Sequence, residues 1–291
     1  MTFITRFAPS PTGPLHIGHA YSALLCWNAA QAAGGRFLLR IEDIDLTRCR
    51  PEFEAGILAD LAWLGLEWEE PVWRQSERMA EYGAALDALD ARGLVYPCFC
   101  SRAEIREAAA EDGIEGPIYP GTCRGLDREE ARARIAAGEP AAWRLAMDRA
   151  LDLTGPIAWT DELAGHQTWD GTGWGDVVLA RKEIGTGYHL AVTVDDAAQG
   201  ITHVIRGRDL FETTHVHVVL QRLMELPTPS YRHHDLLTDD EGEKLSKRTG
   251  AASLRAAIDS GLDHAGLARL LVARGAPDGI MPPHPPSTGR R

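Results

Sequence analysis

The sequence predicts an α/β protein: a Rossmann-type parallel sheet that is split by a zinc-containing insertion and followed by a short helical C-terminal extension. Two observations lead to this prediction. The first 42 residues have the pattern of strand, helix and strand, and such a βαβ unit places its strands in parallel. Strand-like segments then resume only near residue 176, after an irregular stretch that is rich in cysteine, glycine and tryptophan.

Residues 1–95 are predicted to form the first half of the sheet. In order, a buried strand, a helix, a strand and two amphipathic helices are expected at Ile4–Ala8, Ala20–Ala33, Arg36–Glu42, Pro51–Leu64 and Ser76–Arg92. Gly34 and Gly35 should end the first helix, because glycine commonly closes a helix C-terminus. Ser76 is the expected N-cap of the last helix, since its hydroxyl oxygen can accept from unpaired backbone N–H groups.

Residues 96–175 are predicted to be an inserted subdomain, with two short helices that are capped by Ser101 and Asp127. Residues 176–249 should complete the sheet, and residues 250–291 should form the extension and a proline-rich tail. The later elements are predicted as three strands, a helix, and one or two further helices at Asp176–Arg181, Tyr188–Val194, Ile201–Arg206, Leu210–Met224 and Ser253–Arg274.

Composition bounds the class of protein. The 291 residues are 44% hydrophobic and 25% charged, which is typical of a soluble globular chain, and no apolar run approaches the length of a membrane span. Five cysteines, an odd number, favour a reducing compartment over a disulfide framework, so we expect a cytoplasmic protein. The net charge of −12 counts against a nucleic-acid partner but leaves room for a local basic patch. No obligate protein partner is evident.

The segment from Pro9 to His19 carries the first chemical signal. His16 and His19 stand three residues apart where a Gly/Pro-rich turn opens a helix. A helix N-terminus attracts phosphate, and Gly18 allows the main chain to approach a nucleotide closely. Taken alone, a His-x-x-His pair is more often a solvated loop; the preceding strand and the Pro/Gly context favour an ATP site.

The segment Lys244-Leu-Ser-Lys-Arg248 carries the second signal. Mobile lysines can close over a triphosphate and follow its charge into the transition state. Taken alone, this is a solvated run of charges. Together with the first motif it predicts a clamp in which His16, His19, Lys247 and Lys244 are catalytic, and in which His16, Gly18, His19 and Lys247 contact ATP.

The two motifs resemble the HIGH and KMSKS signatures of class I aminoacyl-tRNA synthetases. Arg6–His19 and Leu39–Asp45 are similar to the glutamyl branch of that family, and the resemblance extends from Ile4 to Thr249. It implies a class I catalytic core, glutamate and ATP as substrates, and Mg²⁺ bound with the triphosphate, although no residue of the sequence stands out as its ligand.

The resemblance also implies a glutamate pocket, formed by Arg6, Ser10, Glu42, Tyr188 and Arg206. Arginine can bind a carboxylate with two parallel hydrogen bonds, and a glutamate side chain can pair with an α-ammonium group. Which arginine faces which carboxylate of the substrate stays open. The alternative is that Arg40, Glu42, Asp43 and Asp45 form a surface charge network beside a buried strand.

Full-length glutamyl enzymes continue into a helical anticodon-binding region, whereas about 40 residues follow Arg248 here. The chain therefore resembles those members of the branch that activate glutamate without tRNA and transfer it to queuosine at the wobble position of tRNA(Asp). The alternatives are a truncated enzyme that charges tRNA(Glu), another HxGH nucleotidyltransferase, and a paralogue that binds glutamate or ATP without catalysis.

The insertion contains a candidate zinc site at Cys98, Cys100, Tyr119 and Cys123. Thiolates suit Zn²⁺, and four protein ligands would make the site structural. From the residues alone, zinc and packed free cysteines are equally good interpretations; the family pattern favours zinc. Cys26, Cys49 and His166 are not expected to be ligands.

Overall fold

The computed structural model describes residues 2–238, 253–277, 279–280 and 282–283. The predicted second motif, with Lys244 and Lys247, lies outside these residues. Within them, none of the helices combines the length and the apolar character that crossing a membrane requires.

The predicted βαβ beginning and the helices predicted to begin near Pro51, Ser76, Leu210 and Ser253 are present in the described residues. The strands are β1 Ile4–Phe7, β2 Arg36–Ile41, β3 Glu69–Arg74, β4 Val95–Cys98, β5 Asp112–Gly113, β6 Gly116–Pro117, β7 Ala142–Leu145, β8 Ile157–Asp161, β9 Gly165–Trp169, β10 Val178–Ala180, β11 His203–Gly207 and β12 Ser230–His234. The α-helices are α1 Ile17–Ala32, α2 Pro51–Trp63, α3 Met79–Ala91, α4 Arg102–Ala108, α5 Arg128–Ala136, α6 Met147–Thr154, α7 Tyr188–Ala198, α8 Thr213–Leu223, α9 Leu254–Asp259 and α10 His264–Ala273.

A parallel sheet forms the centre of the molecule. Strands β1, β2 and β3 pair in parallel, as do β11, β12 and β8, while β9 runs antiparallel at the edge. The two groups meet at β1, where the Thr202 N–H donates to the Ile4 carbonyl at 2.9 Å and the Ile4 N–H donates to the Thr202 hydroxyl at 2.8 Å. The predicted Rossmann-type sheet is therefore confirmed.

Helices cover both faces of this sheet, so the central strands β1, β2 and β11 are mostly buried. In β2, Phe37, Leu39 and Ile41 contact the core beneath α1 and α2, whereas Leu38 contacts the core beneath α3, α7 and α8. This alternation follows from the two-residue period of a strand. Two C-terminal helices, α9 and α10, pack through Leu254 and other leucines into the first of these cores, which confirms the predicted helical extension.

The insertion has an antiparallel sheet of its own, in the order β10-β7-β4, and a hairpin formed by β5 and β6. Ser101 caps α4 by accepting from the Glu104 N–H at 3.2 Å, and Asp127 caps α5 by accepting from the Glu129 N–H at 2.8 Å. Both predicted caps are confirmed, because a cap depends on atoms only two or three residues away.

The sheets do not change at the predicted boundaries of 96 and 175. Strands β8 and β9 lie within the predicted insertion, yet β8 pairs with β12 of the parallel sheet. Conversely, β10 was expected to continue the parallel sheet and instead pairs antiparallel with β7 of the insertion. A short strand's sequence does not specify its partner, and these pairings were decided by long-range contacts.

Two local predictions were wrong. The segment Tyr188–Val194 is not a strand but the beginning of α7, whose residues His189 to Thr193 are all buried. A helix buried on all sides lacks the polar face that distinguishes it from a strand in a short window. Ser76 does not cap α3: its N–H and hydroxyl donate to Asp43 at 2.8 and 2.6 Å, and α3 begins only at Met79.

Candidate active site

The connection from β1 to α1 brings two imidazoles to the beginning of a helix. His16 is the N-cap of α1, and its Nδ1 accepts from the Gly18 N–H at 3.1 Å. The Nδ1 of His19 accepts from the His16 N–H at 3.1 Å, and the two ring centroids are 3.7 Å apart. Because Nδ1 is an acceptor in both rings, the proton of each neutral imidazole resides on Nε2. The motif thus presents two N–H donors beside the positive end of a helix dipole.

A cavity of about 570 Å³ lies over this helix start and over the carboxyl ends of β1 and β11. It unites the described residues of the predicted ATP and glutamate sites, which come from both halves of the sheet: Arg6, Ser10, His16, Gly18, His19, Glu42, Tyr188 and Arg206. The carboxyl ends of parallel strands are where such folds bind ligands.

The guanidinium group of Arg6 is held by an aspartate that the sequence did not reveal. Its Nε and Nη2 donate to the carboxylate of Asp196 at 2.9 and 3.2 Å, and Arg40 Nη1 donates to the same carboxylate at 2.7 Å. Burial acts to raise the pKa of Asp196, but Arg6 and Arg40 outweigh it and lower that pKa below its usual value. Asp196 therefore stays ionised and fixes Arg6 against the cavity wall.

Glu42 lies on the opposite side of Arg40, whose Nη2 donates to its carboxylate at 3.1 Å. Desolvation raises the pKa of Glu42 more than Arg40 and Arg6 lower it. The two arginines do not fully offset the cost of burying this carboxylate, so a further cation would stabilise it. An α-ammonium group in the cavity would supply that cation. The alternative, a surface network of Arg40, Glu42, Asp43 and Asp45, is wrong, since the first three of these residues are buried.

Arg206 differs from Arg6 because it has no direct carboxylate partner among the described residues. Its Nη2 donates to the Thr214 hydroxyl at 2.7 Å, its Nη1 to the Tyr188 hydroxyl at 3.3 Å, and its Nε to His233 Nε2 at 3.0 Å. His233 in turn contacts a carboxylate of Asp161 through Nδ1 at 2.8 Å. The carboxylate that is linked to Arg206 by hydrogen bonds on this side thus lies beyond an imidazole, which leaves Arg206 suited to an anionic ligand.

A second buried carboxylate organises the wall behind the cavity. Asp195 is fully buried and accepts hydrogen bonds from Gln75 Nε2 at 3.0 Å, Arg78 Nε at 2.8 Å and the Tyr82 hydroxyl at 2.7 Å. Sequence reasoning missed both Asp195 and Asp196, because the helix that carries them was interpreted as a strand. Two adjacent aspartates directly after an apolar run were the available signal.

The three predicted cysteine ligands come together at the end of β4. The sulfurs of Cys98, Cys100 and Cys123 all lie within 4.8 Å of one another. The hydroxyl of Tyr119 is 3.7 Å from Cys100 Sγ and accepts from the Cys123 N–H at 2.8 Å. Three thiols and a buried phenol oxygen form a donor set that fits a closed, tetrahedral Zn²⁺ site.

The remaining candidates for zinc lie elsewhere, as expected. Cys26 is buried in α1, where its thiol contacts the Ile205 carbonyl at 3.4 Å and burial raises its pKa to about 12. Cys49 follows β2, and His166 belongs to β9 at the edge of the parallel sheet. Within the described part of the chain, the cluster around Cys98 is the one group of three or more side chains that could share a metal.

Comparison with known proteins agrees with this geometry. Residues 2–278 match the family "tRNA synthetases class I (E and Q), catalytic domain". Among curated relatives, the glutamyl-Q tRNA(Asp) synthetase of Rhodobacter capsulatus is 50% identical over 281 residues, which cover 92% of this chain and 99% of the relative. That of Symbiobacterium thermophilum is 46% identical over 86% of this chain and 79% of its own. The chain belongs to the glutamyl-Q tRNA(Asp) synthetase family. It is thus a ligase of the class I tRNA synthetase type.

The solved structures that resemble this member of the family are longer. A glutamate tRNA ligase from Elizabethkingia meningosepticum, in complex with its amino acid, is 32% identical, with a TM-score of 0.74 over 86% of this chain. A glutamate-tRNA synthetase from Elizabethkingia anophelis gives a TM-score of 0.75 at the same identity. The chain spans about half, 53%, of either of these two proteins. The similarity confirms the class I catalytic fold.

Proposed function

We propose that this ligase activates L-glutamate with ATP, without tRNA, and transfers the glutamyl group to queuosine at the wobble position of tRNA(Asp). The observation that supports the proposal best is the shared cavity, because His16 and His19 border the same space as Glu42 and Arg206. The names of the curated relatives support queuosine in tRNA(Asp) as the acceptor.

In the first step, an oxygen of the glutamate α-carboxylate attacks the α-phosphate of ATP. The new oxygen–phosphorus bond forms as the bond to pyrophosphate breaks, which gives glutamyl-adenylate. Negative charge develops on the phosphate oxygens, and donors aimed at that charge lower the barrier. His16 and His19 supply Nε2–H groups, Lys247 and secondarily Lys244 supply ammonium groups, and Mg²⁺ accompanies the triphosphate.

The position of Ser253 supports this arrangement. Ser253, the first described residue after the motif, forms an antiparallel bridge with His16, and the Leu254 N–H donates to the Leu15 carbonyl at 2.8 Å. Lys247 precedes Ser253 by six positions in the sequence, so an extended backbone between them would span at most about 20 Å. This reach is compatible with the proposed contact between Lys247 and a nucleotide at the beginning of α1.

The proposed substrate pocket follows from the charged side chains that line the cavity. Glu42 binds the α-ammonium of glutamate, and Arg206, with the Tyr188 hydroxyl, binds a carboxylate. Arg6 and Ser10 complete the wall of the pocket. In the second step, a hydroxyl of the queuosine cyclopentenediol attacks the carbonyl carbon of the adenylate; an ester forms and AMP leaves. Zn²⁺ would hold the insertion through the Cys98 cluster, and we place the reaction in the cytoplasm.

Pyrophosphate exchange tests the first step. With glutamate and ATP but no tRNA, the protein should incorporate labelled pyrophosphate into ATP. Lys247→Ala should lower the exchange rate at least about 100-fold, because the variant lacks an ammonium group that stabilises the negative charge on the phosphate oxygens. Lys182→Ala is the matched control: this lysine donates to the Phe99 carbonyl at 2.6 Å, outside the cavity, and its loss should leave exchange intact. Exchange that requires tRNA, or that survives Lys247→Ala, would contradict the proposal.

A second candidate acceptor, the terminal ribose of tRNA(Glu), is favoured by the similarity to glutamate tRNA ligases. A queuosine-containing anticodon stem–loop, which lacks a 3′ acceptor end, separates the two. Esterification of this fragment supports queuosine as the acceptor; charging of tRNA(Glu) alone supports the terminal ribose.

A further inference from the structure

A row of hydrogen bonds runs from the substrate arginine to a carboxylate on the inserted hairpin. Arg206 Nη1 lies 3.4 Å from His217 Nδ1, and His217 Nε2 lies 3.2 Å from His189 Nδ1. His189 Nε2 lies 3.2 Å from a carboxylate oxygen of Glu115. We name Glu115, His189 and His217 the histidine relay.

The protonation pattern of the relay is determined from its arginine end. A guanidinium can only donate, so His217 Nδ1 is an acceptor and its proton resides on Nε2. That proton is directed at His189 Nδ1, which places the His189 proton on Nε2, facing Glu115. Both imidazoles are therefore neutral and oriented in the same direction, between a cation and an anion. The pKa of His217 is lowered well below its ordinary value by burial and by Arg206, which agrees with this pattern.

The relay links two parts of the fold. His189 and His217 are 5% and 3% exposed, on α7 and α8 beneath the cavity. Glu115 lies between β5 and β6 in the insertion, and half of its side chain, 49%, is exposed. The hairpin thus places a carboxylate against the catalytic core without placing it in the substrate cavity. Burial acts to raise the pKa of Glu115, but its interactions with His189 and Arg181 together outweigh burial and lower that pKa, so the carboxylate stays ionised.

We propose that Glu115 is a positioning residue for Arg206 and acts through the two imidazoles of the histidine relay. A carboxylate in direct contact would occupy the guanidinium, as Asp196 occupies Arg6. Two neutral imidazoles keep that negative charge at a distance, while their aligned hydrogen bonds fix the rotamer of Arg206. The inference rests on the proposed binding of glutamate by Arg206, and it makes the inserted hairpin part of amino-acid recognition.

The activity test is Glu115→Gln, which keeps the size of the side chain and an acceptor oxygen but removes the charge. We expect the KM for glutamate in pyrophosphate exchange to rise about three- to ten-fold, with the KM for ATP unchanged. Glu111→Gln is the matched control, since it removes the same charge from an exposed position beside the same hairpin and should change neither constant. An unchanged KM for glutamate, or an equal rise in both constants, overturns the proposal.

A double-mutant cycle tests whether the effect passes through the imidazoles. In a protein that already carries His217→Asn, the change Glu115→Gln should raise the KM for glutamate no further. The reason is that the hydrogen bonds between Glu115 and Arg206 are already interrupted at position 217. Additive effects would show that Glu115 acts by another route. Should His217→Asn fail to fold, the single variant and the following measurement decide.

A spectroscopic test needs neither substrate nor activity. In protein labelled with ¹⁵N-histidine, both relay residues should give the shifts of neutral rings protonated at Nε2. A ring protonated at Nδ1, or at both nitrogens near neutral pH, overturns the relay even if exchange with glutamate is observed. Conversely, absence of exchange in the wild-type protein refutes the proposed function and leaves this measurement to decide the relay.

Discussion

The buried imidazole of His233 should make the protein lose stability as the pH falls below about 6.5. Its side chain is 1% exposed, and burial, with the nearby Arg206, lowers its pKa from 6.5 to about 4. The unfolded chain therefore binds a proton near pH 6.5, whereas the folded protein binds it only near pH 4. Between these values folding must exclude a proton, so the free energy of unfolding falls with decreasing pH.

The size of this effect follows from the two pKa values. Each pH unit between 6.5 and about 4 corresponds to about 1.4 kcal/mol, so His233 alone accounts for a loss of up to about 3 kcal/mol at pH 4. The partner carboxylate does not cancel the loss in this window. Its pKa is lowered because hydrogen bonds from the Ala164 N–H and from His233 outweigh burial, so Asp161 stays ionised until the pH is lower still.

Urea unfolding, followed by tryptophan fluorescence between pH 7 and pH 4.5, measures the effect. The comparison is His233→Asn, whose amide nitrogen can keep the hydrogen bond to Asp161 without titrating. Other buried histidines lower the stability of both proteins alike, so the difference between wild type and variant isolates His233. The difference in the free energy of unfolding between wild type and His233→Asn should shrink by roughly 1 kcal/mol per pH unit below pH 6. Parallel pH profiles, or an NMR titration of His233 near pH 6.5, would refute the reasoning.

Three further outcomes are expected from the same structure. Asp195→Asn should lower the free energy of unfolding by about 3–5 kcal/mol, because a fully buried charge with three donors is lost; a change below 1 kcal/mol in urea unfolding would contradict this. Gly35→Ala should cost about 1–3 kcal/mol, since its Cβ would lie 2.3 Å from the Phe3 carbonyl oxygen, whereas Gly56→Ala, in an open position of α2, should stabilise the protein by about 0.5–1 kcal/mol. Chelation of zinc should lower the melting temperature, and Cys98→Ser should abolish bound zinc in metal analysis; a metal-free protein with an unchanged melting temperature would exclude a structural zinc site.

Elements with local causes could be predicted from the sequence. The βαβ beginning, the caps at Ser101 and Asp127 and the histidine turn depend on periodicity or on hydrogen bonds that reach two or three residues. Part of the cysteine cluster could be predicted for the same reason, because Cys-x-Cys keeps two ligands together along the chain. The third cysteine needed the family resemblance, since a separation of 23 residues does not by itself bring two thiols into contact.

Interactions between distant segments could not be predicted in this way. A surface network was one interpretation of Arg40, yet this residue is fully buried against Asp196, 156 residues away. Its burial depends on α7, whose apolar beginning has the composition of a strand. Because the helix was not recognised, neither of its aspartates could be assigned as a partner for the cavity arginines.

The amino-acid sequence by itself therefore determined the class of fold and pointed to the two segments that we propose to bind ATP, because both are encoded in short runs of neighbouring residues. Only the tertiary structure decided that Arg6 is held by a carboxylate, that Arg206 has no direct carboxylate partner among the described residues, and that Glu115 of the inserted hairpin contacts His189 in the catalytic core. The physical reason is that a buried charge is stable only with its partners in place, and those partners are brought together by the packing of helices and strands far apart in the chain.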